Sequence, residues 1–275
     1  MSEFSGSPVD LSIVIVTFGS RDHLARCLPT VYAKTRQTRF EVIVVNDSSG
    51  DGTEEWLARE YPHIHLLSNA RRVGIGRARN QGLAQTRGRY AVLLDADTEL
   101  VTPALDQMVQ FMDDHEDVGI CGCKMLYPTG ELQYTCRTFT YPHIALFRRT
   151  SLGRLLPNAS LLRKYLMADW DHNSVCEPDY VAGACLMLRR AVLEQVGPLK
   201  SYAFGPEDQE ICYRARRHGW RVVYYPGAEI YHHYQRLTAR APVNRQLLVQ
   251  IWEMMDFYAE IVRDRLTDWL WHRRH

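Results

Sequence analysis

An α/β fold is predicted here, with a mostly parallel central sheet flanked by helices and a C-terminal helical extension. Three observations carry that reading. Apolar, strand-like runs alternate with helix-spaced segments over the first 125 residues. Polar and acidic residues gather directly behind those runs. A final stretch, 243–272, repeats apolar residues at helical spacing.

The elements follow in order. LSIVIVT (11–17) is continuous, apolar and rich in β-branched residues, as a strand buried on both faces requires. Residues 21–34 place Leu24, Cys27, Leu28 and Val31 on one helical face. FEVIVV (40–45) is a second buried strand, followed by the turn-forming NDSSGDGT and a short helix carrying Trp56 and Leu57. IHLL (64–67) is a third strand, 76–86 a helix and YAVLL (90–94) a fourth strand. Strands and helices alternating in this way imply βαβ units. The second half is less regular: 178–188 reads as a strand, 208–218 as a helix and 221–225 as a strand, while 137–175 shows no clear period-2 pattern.

Composition sets bounds on function. Of 275 residues 46% are apolar, enough for a substantial core. Lys+Arg (33) nearly balances Asp+Glu (32), so the chain lacks the basic excess of a nucleic-acid binder and none is expected as a partner. The start, MSEFSGSPVD, does not resemble a signal peptide, and no run approaches the roughly 20 apolar residues that span a bilayer. The seven cysteines lack zinc-site spacing. A cytoplasmic protein is expected, with at most peripheral contact at the inner face of the membrane.

In parallel sheets ligands bind beyond the carboxyl ends of strands. Thr17, Asn46-Asp47 and Asp95-Ala96-Asp97 stand there. Two carboxylates at i and i+2 suit a hard divalent cation bridging diphosphate oxygens, or one cation and one ribose; they also suit a solvated turn. The Asp47 carboxylate could accept the imide N–H of uracil or thymine, or a guanine N–H, within a segment whose residues are also ordinary turn formers. Glu207-Asp208 opens the 208–218 helix, as a favourable charge at a helix N-terminus or as a general base, Asp208, for an acceptor hydroxyl. His232 and His233 are adjacent, so a strand would turn them to opposite faces and at most one could meet a metal. The planar fork of Arg236 suits a diphosphate. Gly74-Ile75-Gly76 looks like a dinucleotide fingerprint, but Arg79 occupies the third glycine position.

Taken in order, these segments resemble glycosyltransferase family 2 over roughly residues 10–240. VTF and NDSSGDGT look like its first nucleotide-binding segments, and NARRVGIGRARNQGL its N-x(4)-G-x(3)-A-R-N-x-G segment. LLDAD looks like its DxD, PDYVAGACLMLRR its acceptor-side strand and GPEDQEICYRARRHGW its "ED" helix. PGAEIYHHYQRLT is similar to the ending of rhamnosyltransferase-like members. The resemblance implies a GT-A fold over 1–240, with a donor half at about 10–125, an acceptor half at about 126–240, and a separate C-terminal helix at 241–275. It implies inverting transfer of rhamnose or another hexose from a nucleoside-diphosphate sugar, with UDP- or dTDP-sugars favoured, to a glycan or lipid-linked acceptor in polysaccharide or glycoconjugate synthesis. Mn2+ or Mg2+ is the implied cofactor. Carried over by position, Thr17, Asp47, Arg77, Asp95, Asp97 and Arg236 bind the donor. Asp97 and His232 hold the metal, Gly183, Ala184 and Glu207 form the acceptor side, and Asp208 is the base. Asn46 departs from the family's usual Asp, and Gly50 from its Ser or Thr. A sugar nucleotidyltransferase and an inactive nucleotide-sugar binding module are the alternatives; the first lacks its glycine-rich signature here, and the intact DAD and ED argue against the second.

Two basic or apolar stretches remain. Arg137, Arg148, Arg149, Arg154, Arg163 and Lys164 suit either a solvated face or the approach of an anionic acceptor. The C-terminal helix carries a wide apolar stripe, and Glu253, Asp256, Glu260, Asp264 and Asp268 are expected on its polar face. That acidic row favours packing on the domain or on a second copy in a homodimer over docking on an anionic bilayer.

Overall fold

The computed structural model describes residues 8–139, 144, 160–203, 205–233 and 245–274. Its centre is a nine-stranded sheet. The parallel part is built from β3 (His65–Ser68), β2 (Phe40–Asn46), β1 (Leu11–Thr17) and β4 (Tyr90–Asp95), in that spatial order. Side chains alternate as the strand period demands: Ile13, Ile15, Val92 and Leu94 enter one core layer, while Val14, Ile43 and Leu93 enter the other. Both layers are buried, which is why these strands lack a polar face. The helices α1 (Arg21–Lys34), α2 (Thr53–Glu60) and α3 (Ile75–Leu83) fall where the spacing predicts them.

Beyond β4 the sheet becomes mixed. β5 (Thr98–Leu100), α4 (Ala104–Asp113) and the nine-residue β6 (Val118–Leu126) follow in sequence. The expected strand at 178–188 is two pieces, β9 (Tyr180–Val181) and β10 (Cys185–Arg189), and β10 inserts antiparallel between β4 and β6. A separate two-stranded ribbon joins β9 to β8 (Cys136–Arg137), while β7 (Leu132–Gln133) pairs with β6. β11 (Arg221–His232) runs far beyond the expected 221–225: a register shift between Tyr225 and Glu229 lets it pass Pro226 and continue along β6 and β5. The sheet therefore runs across the expected boundary between donor and acceptor halves.

Helices α5 (Ser160–Tyr165), α6 (Arg190–Val196) and α7 (Glu207–Arg217) complete the second half, and α8 (Arg245–Arg274) closes the chain. Among the described residues no helix is long and apolar enough to cross a membrane.

The start of α3 is pinned closely to the 200–203 segment. The Gly76 N–H donates to the Tyr202 carbonyl at 3.2 Å. A Cβ on Gly76 would stand 2.7 Å from that oxygen and 2.8 Å from the Lys200 carbonyl. Both obstacles are backbone and cannot swing away. Gly76→Ala should therefore destabilise by about 1–3 kcal/mol, lowering Tm by on the order of 5 °C in a thermal melt. An unchanged Tm would show that this docking is loose.

Candidate active site

The three sheet termini lie side by side, because parallel register brings their carboxyl ends level. Thr17 pairs with Asn46, and Val16 with Asp95. The Thr17 hydroxyl is buried without a hydrogen-bond partner among the described residues. The Asp47 carboxylate is also buried, and it accepts from the backbone N–H groups of Val73 (2.8 Å) and Gly74 (3.0 Å) and from the Asn69 amide (3.0 Å). A carboxylate has about four acceptor positions. Asp47 thus spends most of its capacity on shaping the 69–74 loop. Beside it, Arg72 stacks on the exposed Phe18 ring at 4.1 Å.

Asp95 ends β4, and Asp97 lies in the turn to β5. Antiparallel pairing of β5 with β11 sets His232 opposite Thr98, and the His233 N–H donates to the Asp97 carbonyl at 2.8 Å. One ligand atom each from Asp95, Asp97 and His232 therefore comes within 4.8 Å of the others. As strand geometry requires, the two histidines part: His232 faces Asp97 (3.4 Å), and His233 faces Glu99 (2.7 Å).

Gln133, which sequence reasoning did not single out, fixes the His232 ring. Its amide N–H donates to the His232 carbonyl at 2.6 Å, so its oxygen faces His232 Nδ1 at 2.9 Å. Nδ1 must then carry a proton, and in the neutral ring the Nε2 lone pair points at the carboxylates. Such a ring can hold a divalent cation through Nε2 or, once protonated there, donate to Asp97. Burial lowers the His232 pKa, but the Asp97 carboxylate more than compensates and the net shift is upward. Burial raises Asp97, and His232 brings it below the usual carboxylate range.

The second acidic pair opens α7. Between it and the first lies Arg79, buried to 5% exposure. Its guanidinium donates to Asp95 at 2.7 Å, to Glu207 at 2.8 Å and to the Gly183 carbonyl at 2.9 Å. Asp208 accepts from the Gly183 N–H (3.2 Å) and the Gln209 N–H (2.8 Å). A Cβ on Gly183 would touch both Arg79 and Asp208, so the position favours glycine by space alone. Ala184 is buried, and its carbonyl accepts the Asp95 N–H at 2.9 Å. Burial raises the pKa of Glu207 despite the Arg79 pair, and raises Asp208 against the pull of its two N–H donors, Arg137 and Arg79.

The family model described as glycosyl transferase family 2 matches residues 12–197. The chain belongs to glycosyltransferase family 2. The uncharacterized protein y4gI of Sinorhizobium fredii is 29% identical over 83% of this chain, which spans only 25% of that longer protein. The N-acetylglucosaminyl-diphospho-decaprenol L-rhamnosyltransferase of Mycobacterium tuberculosis is 25% identical over 85% of this chain and 79% of its own length. The mannosyltransferase PcManGT of Pyrobaculum calidifontis, solved with GDP-Man and Mn2+, superposes with a TM-score of 0.62 at 17% identity, covering 95% of this chain and 68% of that one. The fold is that of the GT-A glycosyltransferases.

Within this family 2 chain, Thr17, Asp47, Asp95, Asp97, His232, Gly183, Ala184, Glu207 and Asp208 converge around the ends of β1, β2, β4 and β11 and the start of α7. Arg77 does not join them: it is exposed on α3, and Arg79, two residues on and so across the helix, is the one turned inward. Arg236 lies outside the described residues, as do Arg148, Arg149 and Arg154. Of the basic run, Arg163 pairs with Asp169, whereas Arg137 sits on β8 and donates to the Tyr165 hydroxyl at 3.2 Å. The Arg79 site was findable: Gly76, Arg79 and Gly82 recur at three-residue spacing, and the two glycines mark the buried face of α3.

Arg79→Met should remove the cation from between two carboxylates. Breaking one side of a buried pair costs about 3–5 kcal/mol. The melt should fall accordingly, and Asp95→Asn/Glu207→Gln added to Arg79→Met should recover part of the loss. A stable single variant would remove Arg79 from its central place.

Proposed function

We propose that this chain is an inverting, divalent-metal-dependent glycosyltransferase domain that moves a hexose from a nucleoside-diphosphate sugar to an acceptor hydroxyl. The observation that carries the reading is the Arg79 bridge, which couples the Asp95/Asp97/His232 cluster to Glu207-Asp208. A donor site and a proton acceptor are thereby held in one rigid unit. Mn2+ or Mg2+ fits the cluster, since two carboxylates and an imidazole lone pair converge there; when bound, the ion neutralises charge developing on the departing diphosphate.

The remaining chemistry belongs to the chain. Asp208, half-buried in the first turn of α7, takes the proton of the acceptor hydroxyl. The acceptor oxygen forms a bond to the anomeric carbon as the bond from that carbon to the diphosphate oxygen breaks. The electron pair leaves with the nucleoside diphosphate, and the anomeric configuration inverts. Thr17, with its unpartnered hydroxyl, and the last acceptor position of Asp47 face the nucleoside end, which supports a UDP- or dTDP-sugar. The name of the mycobacterial relative supports rhamnose as the sugar and a lipid-linked acceptor. Arg137, close enough to Asp208 to lower its pKa, supplies positive charge on the acceptor side.

Product identity tests the class: release of nucleoside diphosphate supports it, whereas release of pyrophosphate indicates a nucleotidyltransferase and release of neither an inactive module. A calorimetric screen of UDP-, dTDP- and GDP-sugars with Mn2+ identifies the donor. Asp97→Ala should abolish divalent-dependent donor binding in that assay; an unchanged metal requirement and affinity would sink the assignment.

Asp208→Asn should leave donor binding intact and lower turnover by about 10²–10⁴-fold. A base works only when deprotonated, and burial raises the pKa of Asp208. In the parent, kcat/KM should therefore fall with falling pH along a limb above the ordinary carboxylate range of about 4, and that limb should vanish in the variant. Near-normal turnover would place the base elsewhere.

A further inference from the structure

The acids expected on the solvent face of α8 point the other way. Glu253 accepts from the Ala203 N–H at 2.5 Å, Glu260 pairs with Lys200 at 2.5 Å, and Asp264 accepts from the Tyr213 hydroxyl at 3.1 Å. Asp256 accepts from the Tyr202 hydroxyl at 2.9 Å but stays partly exposed. Phe257, Tyr258 and Ile261 pack beside them against Tyr202 and Tyr213. The Asp268 side chain lies outside the described residues. The helix is thus fastened to its own domain through the face that carries the acids.

The opposite face is apolar and open. Of the eleven large apolar side chains exposed among the described residues, seven lie on α8. Leu248, Trp252, Met255, Ala259, Val262, Leu266 and Trp269 follow one another in alternating steps of four and three residues, and all are exposed. That is a heptad seam sustained over three heptads, about 32 Å of helix. Packing on the domain does not account for a second seam with this period, because α8 already uses its other face for that.

We propose that this seam pairs antiparallel with the same seam of a second copy of the chain. Two features select this occupant. Residues of like size meet layer by layer in the antiparallel sense: Trp252 falls opposite Trp269 of the copy, Met255 opposite Leu266 and Ala259 opposite Val262, with the small residues at the two-fold axis. Charge is complementary too. Asp256 and Arg263 are both exposed, seven residues apart on one flank of the seam. Antiparallel pairing sets that flank against its own copy in reverse, bringing Asp256 towards Arg263 twice over; parallel pairing sets it against the other flank, where Ile251 and Tyr258 stand. A bilayer would gain from the tryptophans but would have to accommodate Asp256 at the edge of the stripe. The catalytic domains lie outside the helix pair, one on each side.

Light scattering on the full chain at micromolar concentration should give twice 31.9 kDa. Met255→Glu and Val262→Glu, made separately at outward positions, should each weaken self-association at least tenfold while leaving the melt of the domain unchanged. Orientation is read by oxidative cross-linking: Trp252→Cys mixed with Trp269→Cys should give a 252–269 link between chains, and Trp252→Cys alone should give none. A monomeric parent, a dimer indifferent to both glutamates, or self-linking of Trp252→Cys would overturn the proposal. So would flotation of a monomeric parent with phosphatidylglycerol vesicles, which would identify the seam as a membrane contact.

Discussion

A single buried cation holds the candidate site together. Arg79 enters a region where three carboxylates, Asp95, Glu207 and Asp208, would otherwise repel one another within a low-dielectric core. Its planar fork meets two of them and a carbonyl at once, a geometry that a lysine could not reproduce. The residues on the two sides of the reaction are thereby tied to one rigid group, although Arg79 and Glu207 stand 128 positions apart in the chain. The elements that deliver these groups have their own reasons to be where they are. α3 is seated by Gly76 and Gly82, β4 is buried on both faces, and α7 is oriented by its own apolar side. The guanidinium locks together parts that packing has already brought near.

Legibility from sequence follows the same division. β1, β2 and β4 were read nearly to the residue because a strand buried on both faces leaves an unbroken apolar run. β6, VGICGCKML, is as buried as they are but escaped notice: Trp220 and Val181 press on Gly119 and Gly122 and leave no room there for a side chain, and glycine carries little strand signal. The site residues that follow a strand directly were visible through position alone. Those defined by a partner were not. Arg79 is told from Arg77 only by its three-residue spacing from Gly76 and Gly82, which marks the buried helix face but not the carboxylates it meets, and Gln133 has meaning only beside His232.

The acids of α8 show a further limit. A row of Glu and Asp at helical spacing reads as a solvated face, since an isolated carboxylate is costly to bury. Here Lys200, the hydroxyls of Tyr202 and Tyr213, and the Ala203 N–H receive them beside the buried Phe257, Tyr258 and Ile261, so the docked face is mixed and the row from Leu248 to Trp269 is exposed. Amphipathicity shows that a helix has two sides; which side meets the protein depends on the surface that awaits it.

The antiparallel insertion of β10 also bears on how the chain reaches its native state. β4 has β1 on one side as soon as residue 95 has been made, but its other neighbour begins at Cys185, which registers with Leu94. Until then a strand buried along five of its six residues in the finished fold presents an open edge. Contacts between segments so distant slow folding and leave an edge that invites mispairing. A nascent chain paused before residue 185 would thus be sticky and lack its centre, and the arrival of CLMLR would seal the sheet and bring Gly183 against Arg79 in the same event.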